Sequence, residues 1–171
     1  MPRPRILPYV ILGILSQKGK TTAYEILDEF NNEIGEFWKA SHSQLYPELN
    51  KMITDQWIEK SEGNARESSY TLTNTGQEAL HNWLLEPINE GNDALTSLKI
   101  YFIADEGSDI LQYLLQSTLE LHDSKLAHLL ARKAQLFPNQ AAIHSQYGHY
   151  LILDRAIERE ENHILWLKRH Q

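Results

Sequence analysis

The chain has no cysteine. That excludes a disulfide framework, a thiolate nucleophile and a thiolate metal site, and it fits a reducing cytoplasm. Long apolar runs are missing too. Nothing approaches the ~18–20 residues a membrane helix needs, and no basic segment leads into such a run. A soluble cytoplasmic protein with no membrane partner is expected. Positive charge is scarce: 16 Lys+Arg stand against 23 Asp+Glu, a formal net charge of −7. Wholesale electrostatic capture of nucleic acid is therefore excluded, and any contact with it must be a local patch. There is no nucleophile elbow, phosphate-binding loop or metal-binding motif, so no catalytic residue is assigned and no cofactor is expected. Eight histidines are present. No two of them fall four apart, the one-face ligand spacing on a helix, and no metal site is expected.

What charge there is lies unevenly. Residues 1–72 carry 8 basic against 10 acidic side chains, whereas residues 73–171 carry 8 against 13. Arg3, Arg5, Lys18 and Lys20 all precede the first acid. The stretch Ser41 to Asp55 organises the rest. Leu45, Leu49, Met52 and Ile53 fall on one helical face, while Ser43, Gln44, Tyr46, Asn50 and Lys51 fall on the other. Those short polar groups, a hydroxyl-bearing aromatic and a cation suit base edges and phosphate oxygens. Ser41 followed by Gln44 has the form of a capping box, with Ser43 a second candidate cap, and Pro47 falls near the first turn. Taken alone, the same pattern also fits an ordinary amphipathic surface helix.

Before it, the spacing predicts a helix over residues 5–17, stopped by Gly19. A second helix is predicted over 23–34, capped by Thr21 or Thr22 and ended by Gly35. After it, Trp57 to Glu62 and Ser68 to Thr73 alternate like two strands around a turn at residues 63–66, a hairpin with Lys60 and Arg66 near its tip. A helix over 76–86 follows, capped by Thr73 or Thr75, with Leu80, Trp83 and Leu84 buried. Residues 87–92 are read as a linker. Beyond it come a short helix around 95–103, a long helix over 109–136 ended by Pro138, and a last helix over 141–169. In the long helix Leu115, Leu119, His122, Leu126, Leu129 and Lys133 step as a heptad seam. Two such stripes need a partner. An identical chain is the simplest one, and folding back on the first domain is the other solution.

The expected fold is therefore mostly α: a winged helix-turn-helix with a two-stranded wing (1–86), a linker (87–92), and an all-helical dimerisation and effector domain (93–171). In that arrangement the third helix enters the major groove and a dimer reads an inverted repeat. The runs at 11–15 (ILGIL), 24–26 (YEI), 35–49 (GEFWKASHSQLYPEL) and 70–76 (YTLTNTG) resemble the PadR family of winged-helix regulators. The likeness extends through 148–153 (GHYLIL), 156–160 (AIERE) and Trp166-Leu167. The loop containing WKASHSQ is similar to that of the phenolic-acid-responsive repressors. Gln56-Trp57 departs from the glycine and aliphatic residue of many members, which alters the turn into the wing. The resemblance implies a homodimeric repressor on double-stranded operator DNA upstream of a phenolic acid decarboxylase gene, released by p-coumarate or ferulate.

Candidate DNA contacts are Thr21, Thr22 and Tyr24 at the start of the second helix, where free N–H groups can take a phosphate. Lys39, Ser41, His42, Ser43, Gln44, Tyr46 and Lys51 belong to the recognition segment, and Lys60, Asn64 and Arg66 to the wing. Gln44 is the best base reader, since its amide can bond adenine bidentately. Tyr46 is alternatively a packed core tyrosine, and Lys60 and Arg66 are alternatively just solvated. A small aromatic acid effector needs apolar walls and a few placed polar groups. Tyr9, Lys99, Phe102, His149 and Tyr150 are candidates, with Lys99 meeting the carboxylate. Three alternatives stand beside this reading: a repressor of an efflux gene binding many planar drugs in an open dimer pore, an enzyme acting on aromatic acids, and a protein-interaction module.

Overall fold

Residues 7–18 are apolar on nearly every side, and they form the helix α1 (Leu7–Lys18) that the first unit is built around. Val10, Ile11, Leu12, Ile14 and Leu15 are all buried. Gly19 ends the helix at φ 73°, with its N–H on the Leu15 carbonyl. That left-handed backbone suits a residue without a Cβ. The computed structural model describes residues 5–36, 38, 40–63, 68–88 and 93–171. They form two compact units, one including residues up to 86 together with 93–106, the other including 107–171.

In the first unit Thr21–Thr22 forms a short strand, β1, that pairs antiparallel with Ser69–Leu72, β3; β3 in turn pairs with Ile58–Ser61, β2. The sheet therefore has three strands in the order β1-β3-β2, one more than the hairpin read from the sequence. Two residues are too few to show an alternation. Helix α2 (Ala23–Asn31) stops three residues before the expected end. Asn31 and Asn32 are weak helix formers. The chain leaves the helix there, a short 3-10 turn follows at Ile34–Glu36, and Ile34 is fully buried. Helices α3 (His42–Thr54) and α4 (Asn74–Leu85) follow, with Thr73 rather than Thr75 capping α4 through the Gly76 N–H. Ile53 is only half-buried, so the core face of α3 is Leu45, Leu49 and Met52.

Helix α5 (Asp93–Tyr101) packs with this unit, although the sequence reading groups it with the C-terminal helices. Its anchor is visible. Phe102 presses its ring against Gly13 of α1, where any Cβ would collide with it. The Gln17 amide donates to the Tyr101 carbonyl at 2.9 Å.

The second unit is a helical hairpin. Helix α6 (Asp109–Leu136) runs antiparallel to α8 (Tyr147–His170), burying Leu114, Leu115, Leu119, Leu153, Ile157, Ile164 and Leu167. The last helix is not continuous as expected. A separate α7 (Gln140–Ser145) precedes it, and Gln146 (φ −136°, ψ 45°) breaks the path. The break lets His149 and Tyr150 meet the buried Phe137 ring edge-on, at 5.5 and 5.6 Å between centroids. Such aromatic contacts supply packing that an unbroken helix would forgo. Among the described residues no helix is long and apolar enough to cross a membrane.

Candidate nucleic-acid interface

The exposed polar face of α3 is set by its first turn. Ser41 caps the helix in extended conformation, and the Gln44 side chain accepts from the Ser41 N–H at 3.3 Å, completing a capping box. The Ser41 and Ser43 hydroxyls are 3.0 Å apart. Ser41, His42, Ser43, Gln44, Tyr46, Asn50 and Lys51 are all exposed. Tyr46, at 53% exposed, is not the core tyrosine that was the other reading of it. The Gln44 oxygen is shared with the cap, but it keeps a second lone pair and its amide N–H groups for a base edge. From below, the face is held by Leu45, Leu49 and Met52, each fully buried. From the side, Arg5 ion-pairs with Glu48.

Helix α2 starts from the same kind of cap. The Thr22 hydroxyl accepts from the Glu25 N–H, and the Glu25 carboxylate accepts from the Thr22 N–H at 2.7 Å. These bonds hold the Glu25 carboxyl below its ordinary range, first through the backbone N–H and then through the hydroxyl. The phosphate site expected at this helix start is therefore already occupied by a carboxylate of the same chain. Tyr24 stands beside it, 77% exposed. Thr21 is buried in the sheet and donates to the Gly19 carbonyl, so it supports the turn and presents nothing outward. Lys60 is exposed on β2. Lys39, Asn64 and Arg66 lie outside the described residues.

The effector candidates divide between the two units. In the first, Tyr9 stacks on Trp83 with centroids 5.3 Å apart and planes 1° from parallel. The Lys99 ammonium lies over the same indole and donates to the Glu86 carbonyl at 2.7 Å. Burial pushes the Lys99 pKa down, partly offset by the Glu86 charge. Burial also pushes the Tyr9 hydroxyl up. Phe102 packs on Gly13. In the second unit, His149 and Tyr150 meet Phe137, and Lys133 sits 4.7 Å over the Tyr150 ring while pairing with Asp154.

The sequence reading missed Trp83 as the floor under Lys99, because it registered only as an apolar position of α4. It also missed a buried polar cluster in the second unit. There, His122 Nδ1 is 2.6 Å from Glu160 Oε2, and both side chains are buried. Burial alone would raise the Glu160 carboxyl. Hydrogen bonds from His122 and Arg159, and the charge of Lys125, outweigh it and hold the group below its ordinary range.

The family described as "Transcriptional regulator PadR-like family" matches residues 11–82, and the family described as "Virulence activator alpha C-term" matches residues 96–170. The chain is 36% identical to a curated Bacillus subtilis protein, "Negative transcriptional regulator PadR", across 96% of this chain and 94% of that one. Among solved structures, Bacillus subtilis PadR in complex with operator DNA is similar at 35% identity, covering 97% of this chain and 96% of that chain, with a TM-score of 0.47. The same protein in complex with p-coumaric acid is similar at 36% identity, covering 96% of each, with a TM-score of 0.46.

Proposed function

This chain belongs to the PadR-like family of transcriptional regulators, which is a DNA-binding and not an enzymatic family, and on that premise we propose that it represses a phenolic acid decarboxylase gene until a hydroxycinnamic acid releases it. The observation that carries the DNA half of this reading is the polar face of α3. One face of α3 presents Ser43, Gln44, Tyr46 and Lys51 to solvent on a fully buried apolar seat. That seat fixes the helix backbone, so the reading side chains start from fixed Cα positions. In the major groove, Gln44 reads a base edge, while Lys51, Tyr46 and the exposed Tyr24 position the backbone. Lys60, with Lys39, Asn64 and Arg66, extends the contact along neighbouring phosphates.

Two copies of this helix are needed to read an inverted repeat. The outer side of α8 supports a homodimer. Leu151, Ile152, Leu165 and Trp166 are exposed there, and Ile152 is 71% exposed. An apolar side chain left in water forgoes ~1.5–3 kcal/mol that a partner restores. For the effector, Tyr9, Lys99 and Phe102 in the first unit are one proposed set of contacts, and His149 and Tyr150 in the second unit are another. Each set joins aromatic faces to polar groups, which matches a flat ring bearing a carboxylate and a hydroxyl. An acid acts as inducer by binding better to a conformation that does not fit the operator.

The test is a gel-shift titration on the promoter of a decarboxylase gene, with and without p-coumarate. A shift that the acid abolishes is the expected result. A shift that survives saturating acid would remove the effector assignment and leave the DNA reading standing. Absence of any shift at low salt, where phosphate contacts are strongest, would remove the operator assignment.

A further inference from the structure

We propose that the second unit carries a two-histidine site for a late first-row divalent metal ion, held by His122 Nε2 of α6 and His163 Nδ1 of α8. The argument starts at Glu160. Its carboxylate is almost fully buried and lies 2.6 Å from His122 Nδ1. An ionised carboxylate only accepts, so Nδ1 carries a proton toward Glu160, and Nε2, on the opposite side of the ring, is the atom that can ligate a metal ion. Arg159 and Lys125 occupy the other Glu160 oxygen, at 3.1 and 3.8 Å. This is the outer-shell arrangement that fixes the tautomer and orientation of metal-bound histidines.

Nε2 faces a second ring nitrogen. His163 Nδ1 is 3.4 Å from His122 Nε2, and the two rings are 76° from coplanar. Hydrogen bonds from a nitrogen donor cluster near ~2.9–3.0 Å and thin out beyond ~3.2 Å. Two nitrogens each ~2.0–2.1 Å from one tetrahedral ion stand about 3.3–3.4 Å apart. The observed spacing fits the second case better. Thr118 adds an independent observation. It lies one turn before His122 on α6, is buried, and its Oγ1 has no hydrogen-bond partner among the described residues. A water completing the coordination sphere gives such a hydroxyl a partner. Imidazole ligands with open positions suit Zn²⁺, Ni²⁺ or Cu²⁺ over Mg²⁺ or Ca²⁺. Because the two ligands come from different helices, no spacing within one helix reveals them. The ion acts as a clip between α6 and α8.

The experiment uses the full chain, stripped with a chelator and titrated with Zn²⁺ against a chromophoric competitor. It compares the wild type with His163→Gln and with His170→Gln, an exposed histidine of the same helix. The expected result is a site that His163→Gln weakens by at least tenfold and that His170→Gln leaves unchanged. Equal affinity in the wild type and His163→Gln would overturn the site and assign the binding to surface histidines. Absence of Zn²⁺ binding to the wild type would overturn it as well. Should His163→Gln not fold, Cu²⁺ spin resonance on the wild type decides: hyperfine coupling to two nitrogens supports the pair, and coupling to one rejects it.

Discussion

The Lys99 ammonium stands 5.1 Å from the centroid of the Trp83 indole. It also donates to the carbonyl of Glu86, the residue that ends α4. A cation at a helix C-terminus and over an indole is favourable twice, yet burying it removes its water. Burial wins in part, since the Lys99 pKa is lowered.

That shift has a sign in pH. The folded protein releases the Lys99 proton at lower pH than the unfolded chain does. Between the lowered folded value and the ordinary lysine value the unfolded state holds more protons, so stability rises with pH there. Lys99→Met removes the titration. It is expected to lose no more than about 1.5–3 kcal/mol at neutral pH, the usual worth of a hydrogen bond to a charged group. Urea unfolding at pH 7 and pH 10 checks this. The wild type should gain relative to Lys99→Met at the higher pH, and a gap that stays constant or closes would refute the assignment.

Gln56 holds φ 60°, the one left-handed non-glycine residue among those described. Its N–H bonds the Ile53 carbonyl, and its carbonyl accepts from the Thr73 hydroxyl at 2.6 Å. Both contacts are made by backbone atoms, so a glycine keeps them. The left-handed conformation costs an ordinary residue ~1–2 kcal/mol, while glycine carries an extra entropic cost of ~0.5–1 kcal/mol. Gln56→Gly should therefore stabilise the first unit by about 0.5–1 kcal/mol. Gln56→Val should destabilise it. A glycine variant less stable than the wild type in the same urea titration would mean that the glutamine side chain contributes a contact of its own.

What could be read in the sequence follows from the range of each interaction. The caps at Thr22, Ser41 and Thr73, the stop at Gly19 and the stripe Leu45-Leu49-Met52 are local, spanning about one turn, and they appear where the spacing placed them. The strand at Thr21–Thr22 exists only because β3 lies beside it. The break at Gln146 is matched by the packing around Phe137. His122 and Glu160 are separated by most of two helices, and only the antiparallel pairing of α6 with α8 brings them together. Thr21 was misjudged for the same reason: its exposure depends on a sheet that no local pattern announces.

Helix α3, the proposed recognition helix, separates affinity from specificity. Gln44→Ala should cost about 1–3 kcal/mol on the cognate operator and little on unrelated DNA, because it removes the proposed base contact. Lys51→Ala should weaken both alike and flatten the salt dependence by about one unit of slope. Ser41→Ala removes the capping hydroxyl but keeps the N–H that Gln44 accepts from, so it should cost at most ~1 kcal/mol of helix stability and weaken every sequence to a similar small extent. Fluorescence anisotropy on operator and scrambled duplexes across a salt series separates the three. If Gln44→Ala weakened both duplexes equally, the glutamine would be a capping residue alone.

The exposed side of α8 sets the last expectation. Ile152 and Trp166 project on that side, and in a two-fold dimer each substitution is felt twice. Removing one buried aliphatic contact of ~1.5–3 kcal/mol at both copies gives about 3–6 kcal/mol, or a dimer weakened by ~10²–10⁴-fold. Ile152→Glu adds an unpaired carboxylate at the contact and should sit at the upper end of that range. Because Ile152 is exposed in the single chain, the hairpin itself should remain folded, and circular dichroism should be unchanged. Sedimentation at micromolar concentration should then report a monomer, and operator affinity should fall with it, since one α3 would read only half of the proposed inverted repeat. A variant that remains dimeric would place the contact elsewhere. A variant that turns monomeric yet binds the full operator as before would show that each half-site is held independently.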